Sequence, residues 1–222
     1  MTISHHHSAD EVAATARQDV RTRQILDAAA TVMQRHGSQA ASVKSIADEA
    51  QVSVGLIYRY YENKEALVRA VILDVLDQMN YQIPLALEPV EDPVRRVAAA
   101  FTAYAGVVRD KRKAVLLTYR ETGNLNQESQ DLVKSLELQT GQFMLRAVQG
   151  AIESGHFRDN LNPRPYSYNL LLIAHSWALK YWYFAERMSF EEFVSVQLSI
   201  VLHGALKPEF HRDYPDLLTE QP

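Results

Sequence analysis

Tyr58, Tyr60 and Tyr61 crowd together with Arg59 and Lys64 in one short stretch, "VSVGLIYRYYENKEAL", from Val52 to Leu67. Phenols, guanidinium and ammonium groups donate hydrogen bonds to phosphate oxygens and to the acceptor edges of bases. The chemistry on offer is recognition of an anion rather than bond breaking. On a helix that starts after Ser53, Ile57 and Tyr61 share one face by their i, i+4 spacing, and Val54 and Tyr58 share another. If Ile57 and Tyr61 pack on Ile46 and Ile25, then Val54, Tyr58 and Arg59 point outward. That surface suits a DNA major groove. Ser53 and the first backbone amides can hold a phosphate, Val54 can meet a thymine methyl, and Arg59 can donate to a guanine edge or a phosphate. Gly55 lets the backbone approach DNA closely, while Tyr60 and Lys64 reach the backbone at the far end. The alternative for the tyrosines is packing, and Tyr61, on the inward face, is expected to take it.

The elements that must position these residues read as helices. "RTRQILDAAATVMQRHG" places Ile25, Ala28, Ala29, Val32 and Met33 on one stripe, and Gly37 is a natural stop. Ser42 is an N-cap for a short helix with Val43, Ile46 and Ala47 inward. "AQV" then joins it to the helix after Ser53. Two short helices across a tight turn form a helix-turn-helix. Asn63 caps a longer helix that is expected to stop near Pro84.

Charge agrees with this placement. The 222-residue chain carries a net −4, yet the segment from Arg17 to Ala70 is +2 and the remainder −6. The basic excess marks the N-terminal segment as the anion-facing part.

A joint rich in proline and acid, "IPLALEPVEDP", separates this head from five further helices. They start at Pro93, at "KRKAVLL", at "NQESQ", at about Pro165 and after Ser189. Ser189 and Glu192 form a capping box. The helix from Pro165 is expected to run to Met188, and the last helix from Ser189 to Leu206. No alternating strand pattern competes. The expected fold is all-α: a tail over residues 1–16 taken as disordered, a helix-turn-helix DNA-binding domain over 17–70, a helical ligand-binding and dimerisation domain over 71–208, and a C-terminal tail over 209–222.

"SVKSIADEAQVSVGLIYRYYENKEAL" resembles the TetR family of bacterial transcriptional regulators over about fifty residues, from Arg21 to about Val71. The resemblance implies that Ser42, Lys44, Ser53, Gly55, Tyr58, Tyr60 and Lys64 fall where family members meet DNA. It departs from the family at Gln51, where glycine is frequent, and at Tyr60-Tyr61, where His-Phe is frequent. It also implies a homodimer, a duplex operator and a small-molecule effector held in the larger domain.

Within that domain the apolar stripe Leu170, Leu171, Ala174, Trp177 and Ala178 suits pairing of two copies, or else the core of one. Polar and aromatic residues set in apolar helices are the effector candidates: Tyr104, Tyr119, Arg120, Glu121, Met144, His175, Lys180 and Tyr181. Arg120 either pairs with an acid such as Glu121 or, like Lys180, holds an anionic head group beside an apolar tail. "LLTYRETGNL" and "AHSWALKYWYF" look faintly similar to TetR regulators near acyl-CoA metabolism. An acyl-CoA or an aromatic acid is therefore among the expected effectors.

Cysteine is absent, which excludes disulfides and thiolate chemistry and fits a reducing cytoplasm. "HHH" at His5–His7 reads as part of the tail rather than a metal site. No P-loop, G-x-S-x-G or H-E-x-x-H is present, and His156 and Asp159 have no nucleophile partner. "LLLIAHSWALKYWYF" is too short and too charged to span a membrane. A regulator without cofactor or enzymatic activity is expected. The rival reading is an architectural DNA-binding protein of the same fold with a filled bundle and no small-molecule control.

Overall fold

The computed structural model describes residues 9–218, with side chains from residue 18 onward. The chain divides into two compact units, one up to Ile72 and one from Leu73.

The first unit holds α1 (Ala9–His36), α2 (Val43–Glu49), α3 (Val54–Tyr60) and the start of α4 (Lys64–Leu87). Its core is the expected one: Ile25, Ala29, Met33, Ile46 and Ile57 are all fully buried. Local chemistry sets the ends. Ser42 Oγ accepts from Ser45 N–H at 3.0 Å, and Ser45 Oγ accepts in return from Ser42 N–H at 3.2 Å. Ser53 Oγ accepts from Leu56 N–H at 3.1 Å, and Asn63 Oδ1 from Ala66 N–H at 2.8 Å. These side chains satisfy amides that the first helical turn leaves without partners. Gly37, at φ 81°, ends α1 with its N–H on Met33 O.

The α2–α3 turn passes through Gln51 at φ 53°, the one non-glycine with positive φ among the described residues. Gln24 Nε2 donates to Ala50 O at 2.7 Å and ties α1 to this turn.

The helical start corrects the expected tail. α1 begins at Ala9, not after residue 16, because "ADEVAATARQ" is rich in good helix formers. His5–His7 lie outside the described residues.

The second unit continues α4 and adds α5 (Pro93–Asp110), α6 (Arg112–Glu121), α7 (Gln127–Glu153), α8 (Pro163–Leu179), the single turn α9 (Tyr181–Phe184) and α10 (Phe190–Ala205). α5, α7 and α8 pack on one another. Val94, Val97, Phe101 and Val108 of α5 supply a solid core. Among the described residues the one extended pairing is an isolated bridge between Phe157 and Leu206.

Three expectations about this unit are corrected. α4 does not stop at Pro84: the proline lies inside it. Ile83 and Leu87 on either side are buried, and Arg96 Nη1 donates to Leu87 O and Val90 O at 3.0 and 2.6 Å, capping the extended end. Burial and capping there offset the single lost donor. The helix from Pro163 does not run to Met188 but breaks at Lys180. The break returns Phe184 to Trp177, at 6.4 Å between ring centroids, and to Phe193, at 4.9 Å. Packing of aromatic faces is what a straight helix there would forfeit.

Finally, residues after 208 are no free tail as far as residue 218. Pro208–Asp213 form a 3-10 helix, Tyr214 is buried, and its hydroxyl donates to Asp92 Oδ2 at 2.9 Å. Arg95 makes a two-armed pair with the Asp216 carboxylate at 2.7 and 3.0 Å.

Candidate nucleic-acid interface and effector cavity

In the first unit the expected recognition residues stand on α2, α3 and their flanks. Lys44, Gly55, Tyr58 and Arg59 are exposed and Val54 is half-buried, while Ile57 is buried beneath them. Tyr58 is 53% exposed. A Cβ added at Gly55 meets nothing within 4 Å, so nothing inside the protein demands glycine there. Arg59 and Tyr60 share an open groove with Arg21 and Gln24.

The oxygens of Ser42 and Ser53 are already engaged as caps. Lys64 is half-buried: its Nζ donates to Gln39 O at 2.9 Å and Ala41 O at 3.4 Å, clasping the loop before α2. An ammonium has three donors, so one remains.

In the second unit a cavity of about 300 Å³ opens among α4, α5, α6, α7 and α8. Val75, Leu76, Met79, Val115, Leu171 and Leu172 make most of its wall apolar. Tyr104, Tyr119 and His175, drawn from three helices, meet there. Tyr104 Oη lies 2.8 Å from His175 Nε2, and Tyr119 Oη lies 2.5 Å from His175 Nδ1. Burial disfavours charge on all three: it raises both phenols and pushes His175 down to about 4, so the imidazole is neutral near pH 7.

The other effector candidates lie elsewhere. Arg120 and Lys180 are exposed and neither lines the cavity, so no cation waits there for an anionic head group. Arg120 sits on the outer face of α6, and Lys180 sits in the break after α8. Glu121 is buried but receives Asn124 Nδ2 at 3.2 Å, not an arginine. Met144 is buried in packing outside the cavity. Tyr181 is exposed, with the Arg112 guanidinium 4.2 Å over its ring.

Sequence reasoning missed Glu137, Thr118, Thr122, Thr140 and Tyr168, all of which line the cavity. Glu137 stands at its rim, where partial burial raises its carboxyl. A signal was present: Val133, Glu137, Thr140 and Met144 recur at i, i+4, i+7 and i+11, which sets an exposed acid in line with three buried residues of α7.

The stripe that suits either pairing or the core of one chain takes the second place. Leu170, Leu171, Ala174, Trp177 and Ala178 are all buried within a single chain, against α5, α7 and the aromatic cluster. Apolar periodicity reports that a face is covered and not by what. The exposed apolar residues of α8 are Tyr168, Leu172 and Leu179, and α10 exposes Ile200.

Among the described residues no cluster of three or more His, Asp or Glu side chains is arranged to hold a metal ion, and no helix is long and apolar enough to cross a membrane.

A helix-turn-helix head followed by an all-helical unit with an internal cavity defines a class of DNA-binding transcriptional regulators. The chain belongs to the TetR family. The model for bacterial regulatory proteins of the tetR family matches residues 25–71, and that for the tetracyclin repressor-like C-terminal domain matches residues 90–205. The HTH-type transcriptional regulator HbdR of Aromatoleum sp. (strain CIB) is 34% identical over 186 residues, 84% of this chain and 81% of its own.

Two solved structures share the fold. The ketosteroid transcriptional regulator KstR2 of Mycobacterium tuberculosis gives a TM-score of 0.72 at 22% identity over 84% of this chain and 95% of its own. AibR, solved with isovaleryl coenzyme A and operator DNA, gives 0.69 at 21% over 81% and 97%. HbdR and KstR2 are both transcriptional regulators.

Proposed function

We propose that this regulator is a repressor that binds a palindromic operator as a homodimer and leaves it when a small, mostly apolar effector enters the second unit. The observation that carries the reading is the cavity: its wall is largely apolar, yet three helices converge on it with hydrogen-bonded Tyr104, His175 and Tyr119. Apolar walls with a few placed polar groups are what small-molecule sites look like. A filled bundle would favour the architectural alternative. The relative solved with both a coenzyme A thioester and operator DNA supports an effector paired with DNA.

About 300 Å³ holds an aromatic ring or a short acyl chain and leaves no room for a coenzyme A moiety. An acyl-CoA would therefore seat its acyl end here. A free aromatic acid loses its expected partner, because Arg120 and Lys180 are not in the cavity.

On the DNA side, Val54, Gly55, Tyr58 and Arg59 enter the major groove. Ser42, Lys44, Ser53, Tyr60 and Lys64 hold the backbone. α4 connects the two events: Val75, Leu76 and Met79 line the cavity, and the same unbroken helix begins at Lys64. A ligand that displaces α4 at the cavity shifts its other end. Two half-sites one turn apart, about 34–36 Å, tolerate little change in spacing.

The test is a gel shift on operator DNA titrated with small aromatic and acyl compounds, beside their affinities measured with and without operator. Linkage requires an inducer to bind free protein more tightly than the DNA complex by the factor by which it weakens DNA binding. Equal affinity in both conditions, for a compound that releases DNA, would break the scheme.

A further inference from the structure

The Tyr104–His175–Tyr119 relay holds three donatable protons and makes two hydrogen bonds. Each phenol brings one proton, and neutral imidazole brings one more. One O–H is therefore left over, whichever tautomer the ring adopts. Tyr104 is 6% exposed and Tyr119 is 50% exposed. An unpartnered buried hydroxyl is the costlier choice. That fixes the order: Tyr104 O–H donates to Nε2, Nδ1–H donates to Tyr119 Oη, and Tyr119 O–H faces the cavity with no partner among the described residues.

The other hydroxyls inside are already committed. Thr118 and Thr122 donate to the carbonyls of Ala114 and Thr118 at 3.0 and 2.8 Å. Thr140 donates to Leu136 O at 2.9 Å or to Asn80 Oδ1 at 3.1 Å. Tyr168 stands exposed at the mouth. The remaining charged group is Glu137, an acid, and no Lys or Arg lines the cavity.

We infer that the cavity selects an uncharged ligand, or the uncharged end of a larger one, carrying one hydrogen-bond acceptor, a carbonyl of ketone, amide or ester type on an apolar body, and rejects the free carboxylate of the same size. The acceptor receives the Tyr119 hydroxyl. A carboxylate would enter a low-dielectric pocket beside Glu137 with no cation to offset its desolvation. This inference rests on the reading of the cavity as an effector site.

The test uses the full-length protein without DNA and three probes of nearly equal size: acetophenone, ethylbenzene and benzoate, titrated at pH 7.5 by calorimetry. Acetophenone should bind, ethylbenzene about fivefold to tenfold more weakly, and benzoate on the order of tenfold more weakly or worse. In Tyr119→Phe, with helicity checked by circular dichroism, acetophenone should fall to the ethylbenzene level while ethylbenzene is unchanged. Benzoate binding as tightly as acetophenone overturns the inference, as does an undiminished acetophenone affinity in Tyr119→Phe or no binding by any probe. Gel shifts on the same samples separate the two readings. Probes that rank as expected without releasing operator DNA uphold the selectivity and sink the effector role. Probes that release DNA with benzoate in front do the reverse.

Discussion

Lys64 commits two of its three donors to Gln39 O and Ala41 O, so it fastens the loop before α2 and leaves one N–H for the phosphate contact proposed for it. Lys64→Ala should therefore do two things at once. Thermal denaturation should show a loss on the order of 1 kcal/mol, and the slope of log affinity against log salt should fall by about one. An unchanged slope would leave Lys64 a clasp only. Tyr58→Ala should cost more on the cognate operator than on random DNA, read by paired gel shifts. Equal losses would make Tyr58 a backbone contact.

His175 gives a pH prediction. Its folded pKa of about 4 lies below the ordinary 6.5, so the unfolded chain binds the extra proton. The stability this neutral ring supplies is complete above about 6.5 and is lost as pH falls toward 4. His175→Gln should flatten the decline of melting temperature across that window; an equally steep decline would show that other groups cause it. His175 and its two tyrosines were legible as polar residues on apolar helices. Arg120 and Lys180 had the same look and lie on the outside: Arg120 stands one residue round α6 from Tyr119, and Lys180 sits where α8 breaks.

At the scale of elements, the turn between α2 and α3 holds Gln51 at φ 53°, a conformation that costs an L side chain roughly 1–2 kcal/mol. Gln51→Gly should raise the stability of the first unit by about 0.5–1 kcal/mol, measured by chemical denaturation, with operator affinity retained. A loss of stability would mean that the Gln51 side chain makes up for its backbone. The caps Ser42, Ser53 and Ser189 were readable from sequence because capping is settled within four residues. Pro84 and Lys180 were misread for the opposite reason. Whether α4 survives a proline depends on Arg96, twelve residues on, and whether α8 breaks depends on Phe193 waiting for Phe184. No local pattern carries either fact.

For the whole molecule, pairing must use surface that one chain leaves open. Tyr168 and Leu172 line the cavity, so Leu179 at the end of α8 and Ile200 on α10 are the exposed apolar residues of these two helices left for the proposed pairing. Ile200→Arg should yield monomers by light scattering at micromolar concentration and lose operator affinity with its cavity intact. A dimer that persists places the contact elsewhere.

The break at Lys180 has an optical consequence. It leaves the two tryptophans of the chain in opposite surroundings: Trp177 is 4% exposed inside an aromatic cage, and Trp182, just past the break, is 65% exposed. Trp177 stands two residues from His175 on the same helix. An aqueous quencher such as iodide would darken Trp182 and leave Trp177 glowing, so the blue-shifted residual emission becomes a built-in lamp inside the aromatic cluster that the break assembles, lit without any attached dye.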